Sequence, residues 1–236
     1  MTFFLLSFLL IPPCFAFTVV IDPGHGGADM GASRGSFIES KIVLEIAEKI
    51  KKIFDKPENN QGGIKIYLTR DSTEGLSLEK RVAYAQQLNA DLFLSLHANS
   101  SSSTQVAGME YYFGSPQSTA RALKTNSKFS SQTRDEIIDN IKNDLIHFGK
   151  TKQSLEFSKK IQDSAKRLKS KIRRAPFYVI ENTTMPAVLV EVGFISNQRE
   201  ARKLITPDYQ EELAHALSNA IYDYEAQLKE WQISTL

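Results

Sequence analysis

Short apolar runs alternate along this chain with longer stretches in which apolar residues recur every third or fourth position, a pattern that predicts strands interleaved with helices. Runs at residues 18–21, 64–69, 92–96, 108–113, 177–180 and 187–192 read as strands, several of them rich in β-branched and aromatic residues. Glu39 opens an amphipathic helix that continues as SKIVLEIAEKIKKIF. SLEKRVAYAQQL is a second helix, with Leu78, Val82, Ala85 and Leu88 on one stripe. RDEIIDNIKNDLIHF and SLEFSKKIQDSAKRL read as two further helices, and Pro207 starts a last one at DYQEELAHALSNAIYDYEAQL. Strands alternating with helices imply an α/β fold: a single domain with a mostly parallel twisted sheet of about six strands and helices on both faces.

Composition narrows this picture only a little. A chain of 236 residues with 42% hydrophobic content is long and apolar enough for one such core. Net charge is +2 with both signs spread along the sequence, so nothing argues for a nucleic-acid partner. MTFFLLSFLLIPPCFA reads as a secretory signal peptide over residues 1–16, although no lysine or arginine precedes its apolar run. That run is too short to span a bilayer, so the expectation is an exported protein of the periplasm or cell envelope, without a stable membrane span once the leader is removed. Cys14 is the only cysteine, and cleavage after Ala16 would leave none, excluding intramolecular disulfides. The expected catalytic domain is then residues 17–236, with an inserted polar loop and helix at about 114–150.

The candidate chemistry sits where strands end or helices begin. His25 lies in DPGHGGADMGA, a glycine-rich loop after the first strand; His97 follows DLFLSL, and Glu191 ends AVLVEV. Strand ends of this kind converge on one edge of an α/β sheet, where ligands bind. Two histidines and a carboxylate with an open fourth position describe a catalytic zinc site, and a free glutamate nearby describes its general base. Each residue has a plainer explanation when taken alone. A loop histidine can cap backbone, and a glutamate in a first helical turn is favoured by the helix dipole. Glu191 is the hardest to explain that way, because a lone carboxylate closing an apolar run is costly to bury. His147 and His215 have no partner at ligand spacing, and Trp231 reads as a packing residue.

The strings DPGHGGAD, the helix-opening Glu39, SLHANS and VEVGFISN together resemble the zinc-dependent N-acetylmuramoyl-L-alanine amidases of the amidase-3 family of cell-wall hydrolases. The likeness runs from about residue 17 to 221 and lapses at 114–150. It implies that His25, Glu39 and His97 hold Zn2+ and that Glu191 is the catalytic glutamate. It also implies that the substrate is peptidoglycan, cut at the amide between N-acetylmuramic acid and L-alanine in wall remodelling or daughter-cell separation. A division-associated activator protein is the partner such a role would imply. Some members carry a covering helix over the metal, and Asp135, Glu136, Asp139 and Asp144 are the side chains that could act so here; a surface helix with no regulatory role explains the same residues.

A different chemistry is written in Ser77-Leu78-Glu79-Lys80, which fits the S-x-x-K motif of serine penicillin-binding proteins and would give a penicillin-sensitive DD-carboxypeptidase with nucleophile Ser77 and base Lys80. No S-D-N or K-T-G companion is present, and Ser77 suits an N-cap with Lys80 at N3. A non-catalytic wall-binding module is the third class, and filled catalytic positions speak against it.

Overall fold

A computed structural model describes residues 16–60, 63–114 and 133–234, so the expected leader up to residue 15 and most of the polar loop at 115–132 lie outside the described residues. The elements in chain order are β1 (Thr18–Pro23), a small hairpin of β2 (Ser33–Arg34) and β3 (Phe37–Ile38), α1 (Glu39–Asp55), a 3-10 turn (Pro57–Asn59), β4 (Lys65–Leu68) and α2 (Leu78–Gln87). They continue with β5 (Leu92–Asn99), β6 (Met109–Phe113), α3 (Arg134–Ser164), β7 (Ser170–Arg174), α4 (Tyr178–Asn182), β8 (Ala187–Phe194), α5 (Gln198–Leu204) and α6 (Pro207–Ser234). Six strands form one sheet in the order β4-β1-β5-β8-β6-β7, in which only the β6–β8 pair is antiparallel.

Strand parity sorts the sheet into two unequal faces. Val19 and Ile21 of β1, Leu92, Leu94 and Leu96 of β5, and Val188, Val190 and Val192 of β8 point into the larger core, against α1, the second half of α3, and α6. Their alternates Val20, Phe93, Ala187 and Leu189 join a smaller cluster under α2 and α4, with Val82, Val179 and Ile180. The parity that sends Leu189 to the thinner side also sends Ser95, His97 and Glu191 there. Polar groups at the strand ends therefore meet a cavity rather than a packed core.

Connectivity fixes where that cavity lies. From β1 the chain crosses through α1 to β4 on one side and returns through α2 to β5 on the other, so strand order reverses at β1 and a crevice opens at the carboxyl ends of β1 and β5.

The structure corrects the sequence-based reading in four places. Residues 177–180 are not a strand: Phe177 is an N-cap and Tyr178–Asn182 a short helix that buries Val179 and Ile180. The fifth strand is Ser170–Arg174, whose SKIRR looked polar because an edge strand pairs on one side and packs only one of its faces. The two helices expected at 134–148 and 154–168 are one 31-residue helix, with Gly149 inside it. A glycine there costs about 1 kcal/mol, less than the burial of Phe157 and Ile161 beyond it returns. Finally, Leu78 is 49% exposed, and α2 buries Arg81 with Val82 and Ala85 instead. Among the described residues no helix is long and apolar enough to cross a membrane.

Candidate metal centre and active site

The loop after β1 is held by two buried arginines that take up its carbonyl groups. Arg81 donates from Nη1 to Asp22 Oδ1 at 2.6 Å and to the Pro23 carbonyl at 2.8 Å, and from Nη2 to the His25 carbonyl at 2.6 Å. Arg70 donates to the carbonyls of Pro23, Gly24 and Ser40 at 2.8–2.9 Å. The buried Asp22 carboxylate also accepts from Thr69 Oγ1 at 2.6 Å and Ser95 Oγ at 2.9 Å, so its charge is paired and satisfied. Asp22, Arg70 and Arg81 were not singled out from sequence. The available signal was an arginine on the apolar side of α2 and an aspartate closing an apolar strand.

This anchoring holds His25 at φ 60, a left-handed conformation flanked by Gly26 and Gly27, both also at positive φ. Gly24 has a second reason to be glycine: a Cβ there would lie 2.4 Å from His97 Cε1. At Gly31 a Cβ would fall 2.6 Å from Glu39 Oε2 and 2.7 Å from His25 Cδ2. Gly24 and Gly31 are thus spaces that the site's own side chains fill.

Three predicted residues converge. Glu39 Oε1 lies 3.0 Å from His25 Nε2 and 2.9 Å from His97 Nδ1, and the ligand atoms of the three side chains all lie within 4.8 Å of one another. Glu39 is 4% exposed; its Oε1 accepts from the Ala98 amide and its Oε2 from the Ala32 amide, which orients the carboxylate. His25 Nδ1 lies 2.8 Å from Asp29 Oδ2, an outer partner of the kind that fixes a ligand imidazole's tautomer.

The donor set fits a cation. A neutral imidazole carries one proton, yet both nitrogens of His25 face a carboxylate oxygen. One of those contacts sets lone pair against lone pair unless a positive charge enters. Without a metal that charge is a proton: the hydrogen bond that His25 donates to Glu39, opposed by burial and aided by Asp29, raises His25 to about 9. Burial pushes Glu39 up, but hydrogen bonds from His25 and His97 outweigh it and hold the carboxyl well below its usual range. Two imidazoles and a carboxylate suit zinc or a similar divalent ion in the proton's place.

Glu191 stands beside this cluster as the register partner of His97. Its Oε2 is buried with no hydrogen-bond partner among the described residues. Burial pushes the carboxyl up to about 8, with the charges of Glu39 and Glu110 adding to the rise and His25 opposing it. Glu110, on the neighbouring strand directly opposite Glu191, escaped the sequence reading. It accepts from Tyr112 Oη at 2.7 Å, Asn99 Nδ2 at 3.1 Å and Arg173 Nε at 2.8 Å.

These groups open on a cavity of about 410 Å³ whose lining includes His25, His97, Phe177, Tyr178, Leu189 and Glu191. A larger hollow of about 760 Å³ lies at the opposite ends of the strands, lined by Phe17, Asp91 and Pro186, and holds none of this chemistry. Ser77 and Leu78 stand at the rim of the smaller cavity. Ser77 Oγ accepts from the Lys80 amide at 3.4 Å as a helix cap, and the Lys80 side chain is exposed, so the nucleophile-base pair of an S-x-x-K site is not assembled. Asp135, Glu136, Asp139 and Asp144 are exposed on α3, and the ligand cluster includes none of them.

Fold and cleft together define an α/β protein whose site has the donor set of a metallohydrolase. The chain belongs to the N-acetylmuramoyl-L-alanine amidase family, whose model it matches over residues 19–223. It is 32% identical to the amidase AmiC of Escherichia coli O6:H1 over 226 residues, covering 88% of this chain and 52% of that protein. It is 31% identical to AmiA of Salmonella typhimurium over 222 residues, 87% of this chain and 75% of that one. The chain therefore spans about half of the AmiC protein and three quarters of AmiA. Among solved structures, the catalytic domain of CwlV, an amidase of Bacillus (Paenibacillus) polymyxa, superposes with a TM-score of 0.65 at 32% identity, covering 88% of this chain and 97% of that one. AmiC2 of Nostoc punctiforme gives 0.66 at 28% identity, over 88% and 96% of the two chains.

Proposed function

We propose that this protein is a zinc-dependent peptidoglycan amidase that hydrolyses the bond between N-acetylmuramic acid and the L-alanine of the stem peptide. The observation that carries the reading is the convergence of His25, Glu39 and His97 beside a buried, unpartnered Glu191 carboxylate, in the fold of this family. On this reading His25, Glu39 and His97 hold the metal. When bound, zinc supplies a water of lowered pKa and an electrophile for the scissile carbonyl.

The protein's own groups do the rest. Glu191 accepts a proton from the attacking water and returns it to the departing amine nitrogen, so the carboxyl ends each turnover as it began. A neighbouring cation lowers the proton affinity of Glu191, opposing the rise that the charges of Glu39 and Glu110 cause, and so favours the ionised base. Asp29 orients His25, and the Ala32 and Ala98 amides orient Glu39. Phe177, Tyr178 and Leu189 give the cavity an apolar wall that limits water around the reacting atoms.

The finer parts of the proposal concern setting. Export to the periplasm or cell envelope, through a leader over residues 1–16 and a catalytic domain over 17–236, is what a peptidoglycan substrate requires. An activator partner, as a role in daughter-cell separation would need, is supported by Ile141, Leu145 and Phe148, exposed on α3 at spacings that align them on one face; the cellular role itself is part of the proposal. The test is mass spectrometry of purified peptidoglycan after incubation, with and without chelator. Free stem peptides starting at L-alanine, lost on chelation and restored by zinc, are expected; fragments ending at any other bond would overturn the reading.

A further inference from the structure

The edge strand β7 places two cations on the site's own face of the sheet. Lys171 is the register partner of Glu110 and Arg173 of Tyr112, while Glu110 and Tyr112 are in turn opposite Glu191 and Leu189. Register partners share a face, and the intervening Ile172 packs on the larger core behind the sheet. Lys171 therefore continues the row His97, Glu191, Glu110 outward to the sheet edge, and Arg173, in the next row on the same face, leans back to that row through its bond to Glu110.

Neither cation is consumed by the fold. Lys171 is exposed. The Arg173 side chain is 45% exposed, and among the described residues its one hydrogen bond runs from Nε to Glu110 Oε1 at 2.8 Å. A guanidinium has five N–H donors, so that bond sets the direction of the group and leaves its terminal fork available. Glu110 offsets one of the two charges, and Tyr112 and Asn99 satisfy it further. The row ends with an excess positive charge next to a centre that otherwise presents carboxylates, which is an arrangement for drawing in an anion.

We propose that Arg173, assisted by Lys171, is a specificity-determining subsite for a free carboxylate of the stem peptide. This rests on the amidase reading above and adds the part of the substrate that the edge strand meets. From β8 to β7 is two strand spacings, about 10 Å. An extended peptide advances about 3.3–3.6 Å per residue, so the group reached lies two or three residues beyond the scissile amide. Stem peptides carry acidic residues and carboxyl termini downstream of L-alanine, which supplies a ligand of the right charge at that reach. Arg173 touches no reacting atom; its part is to fix the register of the peptide so that the amide lies over the Glu191 side of the cavity.

The experiment uses the zinc-loaded full chain and a pair of synthetic muramoyl peptides that differ only in whether the stem carboxylates beyond L-alanine are free or amidated. Wild type should prefer the free form by at least about tenfold in kcat/KM, the scale of one charge-assisted contact, with the difference in KM. That preference should vanish in Arg173→Gln and shrink in Lys171→Gln, while Arg173→Lys keeps part of it. Unchanged melting temperatures exclude misfolding as the cause, and Lys171→Gln, at an exposed position, is the variant to read if Arg173→Gln does not fold. An unaltered preference in every variant, or no preference in wild type, overturns the subsite and leaves the amidase intact. Release of peptide from neither substrate by wild type overturns the amidase reading and the subsite with it.

Discussion

At the scale of single residues, Glu191 is the most exposed to test because two roles for it predict different variants. If it moves protons and does not hold the metal, Glu191→Gln should keep near-stoichiometric zinc and lose about a hundredfold or more in kcat; zinc loss equal to that of His97→Ala would make it a ligand. The same variant reports on linkage in the metal-free protein. The folded carboxyl titrates at about 8 against an ordinary value of 4.5, so its stabilising contribution is complete below about 4.5 and is lost as pH rises through 8. Each pKa unit corresponds to about 1.4 kcal/mol, so the loss reaches a few kcal/mol. In chelator, wild type should fall behind Glu191→Gln in melting temperature between pH 5 and pH 9; a gap that does not change with pH would show that the carboxyl is not desolvated as described. Ser77 is the opposite case. As a cap it contributes about 1 kcal/mol, so Ser77→Ala should lower the melting temperature slightly and leave amide hydrolysis intact, and acylation of Ser77 by a penicillin would refute the cap reading.

At the scale of elements, legibility in the sequence followed burial. β1, β5 and β8 are central strands covered on both faces, and their continuous apolar runs announced them together with the site residues at their ends. β7 buries one face at a sheet edge and carries Lys171, Arg173 and Arg174 on a five-residue strand, so its pattern did not rise above that of a loop. The segment FYVI has strand-forming residues but pairs with no neighbour, and burying Val179 and Ile180 against α2 suits one turn of helix better. That His25, Glu39 and His97 cluster with Glu191 beside them could be anticipated because the proposed chemistry restricts their types. Arg70, Arg81 and Glu110 could not be, because each works through at least one contact 46–63 residues away along the chain. Arg81 is where that difference is measurable: Arg81→Met leaves Asp22 buried without its cation and takes their donor from the Leu76 and His25 carbonyls, while the Pro23 carbonyl keeps Arg70. Removing one partner of a buried ion pair costs about 3–5 kcal/mol. The expected result is a lower melting temperature together with weaker zinc retention, since His25 loses its anchor; a variant with wild-type stability would show that the arginine is dispensable to the loop.

At the scale of the whole molecule, the proposed ligands come from three elements: the loop after β1, the first residue of α1, and β5. A metal held by all three ties the carboxyl edge of the sheet to the helix that covers its larger core, so metal affinity and folding are coupled. Binding only to the folded state stabilises by about 4 kcal/mol when free metal is a thousand times its dissociation constant. One kcal/mol moves the melting temperature of a domain this size by about 2–4 °C, so zinc should raise it by on the order of 10 °C over the chelated protein. On the proposed reading zinc takes the place of the proton that His25 otherwise holds, so the increment should grow as pH rises from about 6 to 8. Glu191→Gln should keep the whole increment, whereas His25→Ala, Glu39→Ala and His97→Ala should each abolish most of it along with hydrolysis. A ligand variant that is still stabilised by zinc to the wild-type extent would remove its residue from the metal centre, and an increment lost only in Glu191→Gln would exchange the two roles.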